Sequence, residues 1–136
     1  MTPHPLELSR LISMPVKEIE SCRLNIAVKT ASELGVVLLL KGAGTVITDG
    51  KRTYVNTTGS TALSKGGSGD VLAGVIASLA ANTPEPLHAA ALGAYLHGTA
   101  GDNLSESLSD FGVIPSDLPL EIAKAIKALT SENQSE

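Results

Sequence analysis

The run Lys65-Gly66-Gly67-Ser68-Gly69-Asp70-Val71-Leu72-Ala73-Gly74 constrains this chain more than any other segment. Three of the four residues from Gly66 to Gly69 are glycine, so the backbone can approach a ligand there without Cβ hindrance. Val71, Leu72, Val75, Ile76 and Leu79 follow at helical spacing. The pattern predicts a glycine-rich turn that opens onto the N-terminus of a buried helix. Such a place presents unpaired N–H groups and the positive end of the helix dipole, a combination suited to phosphate. Asp70 sits where it can take a proton from a hydroxyl attacking phosphorus. Its competing reading is a residue favoured at helix starts for capping alone.

Composition narrows the classes. With 136 residues the chain has room for one modest domain, and 43% hydrophobic residues supply a packed core. Aromatics make up 2% and Trp is absent, which argues against surfaces that stack bases. Fourteen acidic residues against ten basic ones leave a net charge of −4, with no basic stripe to follow a nucleic-acid backbone. Cys22 stands alone, which excludes an intrachain disulfide and a cysteine-based zinc cluster. No signal peptide and no bilayer-length apolar run is present, so a soluble cytoplasmic protein without nucleic-acid or membrane partners is expected.

Along the chain, Thr2-Pro3-His4-Pro5 predicts an extended opening, because residues before proline avoid the α region. A short helix follows over Leu6 to Ile12. A longer one runs from Val16 through Ile19, Arg23, Ile26, Ala27 and Thr30 to Leu34, stopping at Gly35. Val36 to Leu40 is continuously apolar, as in a strand buried on both faces of a layered α/β sheet. Asp49-Gly50 predicts a hairpin between Thr45–Thr48 and Arg52–Asn56. The glycine-led helix closes near Asn82-Thr83-Pro84, and an alanine-rich helix runs from Leu87 to about Gly101. Ser105 to Gly112 reads as polar and irregular. Ser116 is expected to cap a last helix with Leu120, Ile122, Ala123, Ile126 and Leu129 inside. A frayed tail is expected over about 131–136.

Taken in order, these loops resemble the C-terminal half of the ADP-dependent NAD(P)H-hydrate dehydratase family. The matching pieces are Thr2-Pro3-His4-Pro5, Leu40-Lys41-Gly42-Ala43-Gly44-Thr45, Asn56-Thr57-Thr58-Gly59 and the glycine-rich run itself. Tyr95-Leu96-His97-Gly98, Ala100-Gly101-Asp102, Gly112-Val113 and Ser116-Asp117-Leu118 match as well. Leu6 departs from the family's usual Gly, and Ser60-Thr61 from its Asn-Pro pair. The resemblance implies an α/β, ribokinase-like layered sheet with flanking helices, of which residues 1–136 form one incomplete domain. Family members are about twice as long, and the missing half would leave an apolar strand edge and sheet face uncovered.

The resemblance also implies roles. His4 and Asp70 would contact the hydrated nicotinamide nucleotide. Lys41, Gly42, Ala43, Gly44 and Thr45 would form the ADP-binding loop, with Gly66, Gly67, Ser68 and Gly69 at the transferring phosphate. The reaction would pass the β-phosphoryl of ADP to the ring hydroxyl, with Asp70 handling the proton. Loss of phosphate would then restore NADH or NADPH and leave AMP. Mg²⁺ is expected for phosphoryl transfer, although no acidic cluster identifies its ligands. The partners implied are the small-molecule hydrate and either a second copy or a complementing N-terminal half. Bland readings stand beside these: His4 as a surface terminus, Lys41 as a solvated strand end, His97 as a satisfied structural histidine. Two other functions compete, a ribokinase-like kinase of thiazole or hydroxymethylpyrimidine type and a non-catalytic nucleotide-binding fragment.

Overall fold

The apolar run narrows to a three-residue strand, β1 (Leu38–Leu40), in the computed structural model, which describes residues 1–132. Val36 is spent on the preceding helix, its N–H donating to the Ala31 carbonyl at 3.1 Å. The Val37 carbonyl instead accepts the Met1 ammonium at 2.7 Å. β2 (Thr45–Thr48) and β3 (Thr53–Asn56) complete an antiparallel meander in the order β1-β2-β3. Leu39 faces Ile47 across the first pair, and Ile47 faces Tyr54 across the second. Asp49 closes the hairpin by accepting the Lys51 and Arg52 amides at 2.9 and 2.7 Å, and Gly50 turns it at φ +86°.

The pleat sends alternate side chains to opposite layers. Leu38, Leu40 and Val46 pack with Leu8 of α1 (Pro5–Ile12), Ile19 of α2 (Val16–Ser21), and Ala27 and Ala31 of α3 (Arg23–Leu34). Leu39 and Ile47 pack with Leu72 of α4 (Ser68–Ala81) and with Leu87, Ala90 and Ala94 of α5 (Pro86–Gly112). Beyond α5, Leu96, Ala100 and Leu104 meet Leu118, Ile122 and Ala125 of α6 (Leu118–Glu132). β1 and β2 are therefore covered on both faces, and the mixed α/β layering expected from the apolar run is present.

The free edge of β1 is covered too. Leu39 and Lys41 donate their amides to the Met1 and Pro3 carbonyls at 2.8 and 2.9 Å, so the opening segment lies along that edge. The expected exposure of apolar sheet surface falls on β3 instead, where Tyr54 and Val55 are exposed.

Four local expectations are corrected. The long helix breaks at Cys22 (φ −136°), because the Ser21 hydroxyl bonds back to the Glu18 carbonyl at 2.8 Å and competes with the ladder. α5 carries helix into the polar stretch, but a kink at Ser109 (φ +61°) divides it, and a short second piece ends at Gly112, where Asp110 takes hydroxyl bonds from Ser105 and Thr61. Ser116 caps nothing: it lies inside a 3₁₀ turn, Pro115–Asp117, where the Asp117 carboxylate accepts the Ile114 amide at 3.0 Å. That turn rephases α6, so Leu118, Ile122, Ala125 and Leu129 face inward while Leu120 and Ile126 are exposed. Of the expected tail, Ser131 and Glu132 belong to α6 and residues 133–136 lie outside the described residues.

Candidate functional site: an anion-binding mouth

α4 starts where Gly67 adopts φ +97° as its N-cap, packed so closely that a Cβ would lie 3.3 Å from Pro115. The Gly67 carbonyl accepts the Asp70 and Val71 amides, and the Lys65 carbonyl accepts that of Ser68. The amides of Gly66, Gly67 and Gly69 keep no partner among the described residues. They stand at the positive end of the α4 dipole. Lys41, at the end of β1, brings a cation to the same point: a Cβ on Gly69 would meet Lys41 Nζ at 3.4 Å. An ammonium over a helix mouth with unpaired N–H groups is an arrangement chemically suited to an anion.

Glu7 holds the ammonium from the other side, with Oε2 at 3.5 Å from Lys41 Nζ. The same oxygen accepts the His4 amide at 2.6 Å, while His4 Nδ1 accepts the Leu6 and Glu7 amides at 3.1 and 3.2 Å. This reciprocal cap starts α1 and leaves the neutral His4 ring with its proton on Nε2. The His4 amide above all holds the Glu7 carboxyl below the usual carboxylate range; burial opposes it, and the Lys41 ammonium adds a smaller lowering effect.

The far wall comes from α5. Asn56 Nδ2 donates to the Thr58 and Ala94 carbonyls at 3.2 Å, and the Asp102 carboxylate accepts the Gly59 amide at 2.9 Å. Buried His97 places Nε2 at 3.0 Å from the Ser68 carbonyl and 3.1 Å from its hydroxyl. A carbonyl only accepts, so Nε2 carries the proton and ties α5 to the first residue of α4. Burial pushes the His97 pKa down, opposed by that carbonyl bond.

These walls enclose an open cavity of about 630 Å³. Of the residues singled out in the sequence, His4, Lys41, Gly42, Ala43, Thr45, Ser68 and Gly69 border it. Gly44, Gly66, Gly67 and Asp70 do not. Gly44 turns the loop at φ +66°, and Gly66 and Gly67 lie exposed behind Ser68. Asp70 is exposed in the first turn of α4 and makes no side-chain cap there. Lys65 is already occupied, donating to the Phe111 and Val113 carbonyls at 2.8 and 2.9 Å. Sequence reasoning missed Glu7, since a capping box led by His rather than Ser or Thr is a weak signal. It also left Asn56 and Thr58, both bordering the cavity, without a role.

Among the described residues no group of three or more His, Cys, Asp or Glu stands together, and no helix is long and apolar enough to cross a membrane. The sequence profile of NAD(P)H-hydrate dehydratase matches residues 1–127. The chain belongs to the NAD(P)H-hydrate dehydratase family. Within that family it is 48% identical over 120 residues to a bifunctional NAD(P)H-hydrate repair enzyme of Moorella thermoacetica, covering 87% of this chain and 22% of that one. It is 38% identical to an ADP-dependent (S)-NAD(P)H-hydrate dehydratase of Neisseria meningitidis, covering 95% of this chain and 43% of the relative. The crystal structure of the Bacillus subtilis ADP/ATP-dependent NAD(P)H-hydrate dehydratase, co-crystallised with ATP and Mg²⁺ and soaked with CoA, superposes with a TM-score of 0.89. Identity there is 34%, with 93% of this chain and 47% of that chain covered. A ribokinase-like superfamily protein of Enterococcus faecalis superposes at 0.81 and 31% identity, with 93% of this chain and 43% of that chain covered. The fold is thus ribokinase-like, and this dehydratase-family chain spans less than half the length of these relatives.

Proposed function

We propose that this chain carries the nucleotide-side machinery for ADP-dependent dehydration of NAD(P)H hydrate to NAD(P)H, with release of AMP and phosphate. The observation that carries the reading is the Lys41 ammonium set beside Gly69, which borders the cavity and whose amide is unpaired at the start of α4. Preorganised donors of this kind stabilise the charge that develops on a transferring phosphoryl group. The loop from Lys41 to Thr45 lies against the polyphosphate, and His4 borders the space left for the hydrate. Asp70 takes the proton of the ring hydroxyl as that oxygen attacks the β-phosphorus of ADP. Phosphate then leaves with the electrons of the C–O bond, the neighbouring ring carbon gives up a proton to water to restore the double bond, and AMP remains.

Mg²⁺ fits as an ion carried in on the polyphosphate. Among the described residues the donor set bordering the cavity holds no carboxylate, and the nearby Glu7 is bound by His4 and Lys41. Such a set suits an ion that keeps most of its ligands as water and phosphate. Bound there, it would neutralise charge on the phosphate oxygens.

A second reading, a nucleotide-binding piece without turnover, is favoured by the exposure of Asp70 outside the cavity. Incubation with hydrated NADH, ADP and Mg²⁺ separates the two, alongside calorimetric titration with ADP. Return of the reduced-cofactor absorbance with stoichiometric AMP supports dehydration. Saturable ADP binding without that return supports the second reading, and absence of ADP binding defeats both.

A further inference from the structure

Arg23 opens α3, outside the cavity, yet its guanidinium ends directly beneath the Lys41–Thr45 loop. Nη2 donates to the Leu40 and Lys41 carbonyls, each at 3.1 Å, and Nη1 donates to Glu20 at 3.1 Å. The group lies so flat against Gly42 that a Cβ there would meet both terminal nitrogens at 2.8 Å. Gly42 holds φ +145°, so the loop leaves β1 in a conformation that only glycine adopts freely, and the guanidinium fills the space a side chain would take. We propose that Arg23 is the positioning residue of this loop, fixing the main chain of Lys41 so that its ammonium reaches the mouth of α4.

The geometry asks for arginine in particular. Two carbonyls and a carboxylate must be bonded at once by a planar group thin enough to lie against a glycine, and a lysine ammonium cannot do all of this. The Lys41 backbone is pinned on its other side as well, where its amide donates to Pro3 at 2.9 Å. With both main-chain groups held, the side chain starts from a fixed origin between Glu7 and Gly69. Glu20 is the lesser partner: its side chain is 46% exposed against 15% for Arg23, so the ion pair is screened while the carbonyl bonds are not. The position points to a charge placed behind an anion loop, touching its backbone and not the ligand.

The role in nucleotide binding rests on the proposed function, so the test carries a ligand-free arm. Arg23→Met keeps the apolar stem and removes the fork. In the free chain, the Lys41 amide should exchange at least about tenfold faster while amides of α5 change by less than about twofold. Order parameters at Gly42–Gly44 should fall from about 0.85 toward 0.6. ADP should bind about tenfold more weakly, and in a Lys41→Met background the same change should cost less than about twofold. Arg23→Lys should recover only part of the loss, and Glu20→Gln should leave affinity within about twofold. Unchanged loop exchange, a uniform rise across all helices, equal losses in both backgrounds, or full recovery by lysine would each overturn the assignment. If Arg23→Met does not fold, Arg23→Lys and Gly42→Ala read the same loop signals. If the parent chain does not bind ADP, the functional reading fails and the exchange data alone decide Arg23.

Discussion

Asp70 stands one residue beyond the amide of Gly69, in the first turn of a helix where acidic side chains are common as caps. It makes no cap bond, so the capping explanation that competes with a chemical role finds no support in its contacts. A carboxylate that neither caps nor pairs is free to accept a proton. Asp70→Asn should therefore abolish turnover while leaving ADP affinity within about twofold, because the change acts on the hydroxyl and not on the nucleotide. Single-turnover assay with parallel calorimetry checks both parts; near-normal turnover would remove the role. His97 presents a different case, a buried ring whose Nε2 ties α5 to Ser68 at the start of α4. Its folded pKa lies below the ordinary value near 6.5 because the ring is buried. Between the folded and unfolded values the unfolded chain binds more protons, so unfolding free energy rises with pH through that window and levels off above about 6.5. Urea unfolding from pH 5 to pH 7.5 should show this slope in the parent and lose the His97 share of it in His97→Gln. A parent-minus-variant difference that does not vary with pH would rule out titration of this ring.

At the scale of elements, α4 and α5 both contain glycines in helix interiors, and their surroundings assign them opposite effects. A Cβ on Gly98 would lie 2.7 Å from the Thr58 carbonyl carbon and 2.8 Å from its Cβ, and nearer still to its hydroxyl. The strap from Asn56 to Gly59 crosses α5 there, tied to the Ala94 carbonyl and the Asp102 carboxylate, so it has little room to move. Gly98→Ala should cost at least about 2 kcal/mol by overpacking. Gly74, on the exposed face of α4, has nothing within 4 Å of the place a Cβ would take, and Gly74→Ala should stabilise by about 0.5–1 kcal/mol. Denaturant midpoints measure both, and equal signs would refute the packing argument. Element type was legible wherever one local rule dominated: the Gly35 stop, the Asp49-Gly50 hairpin, and the glycine-led start of α4. It failed where a partner distant in sequence decided the outcome. Nothing near Ser105 announces that Thr61 will help Asp110 hold the end of α5. The glycine-led helix start was readable from the sequence, and the resemblance brought Lys41 beside it. Asn56 and Arg23 escaped notice because each acts through a main-chain bond that no spacing rule records, and Glu7 because its capping box is led by His.

For the molecule as a whole, the small sheet is the joint between layers, and its two edges are treated differently. β3 ends the sheet with Tyr54 and Val55 exposed, while the edge of β1 is closed by the backbone of Met1–Pro3. That closure links the opening segment to the anion site. The Pro3 carbonyl holds the Lys41 amide, and the next residue, His4, starts the cap that positions Glu7 against the Lys41 ammonium. Removing Met1–Pro3 deletes two main-chain acceptors, frees the Leu39 and Lys41 amides on an exposed edge, and uncovers the site of buried Pro3. Each main-chain bond contributes about 1 kcal/mol net, so a chain starting at His4 should lose roughly 2–3 kcal/mol of stability. An unpaired edge is also a template for other chains, so the same truncation should raise self-association. Urea unfolding and sedimentation velocity at matched concentrations measure the two effects. Loss of stability without added association would mean that the freed amides are satisfied by water and that the segment acts through packing alone. Added association at unchanged stability would mean that the pairing with Met1 and Pro3 guards the edge without holding the layers together.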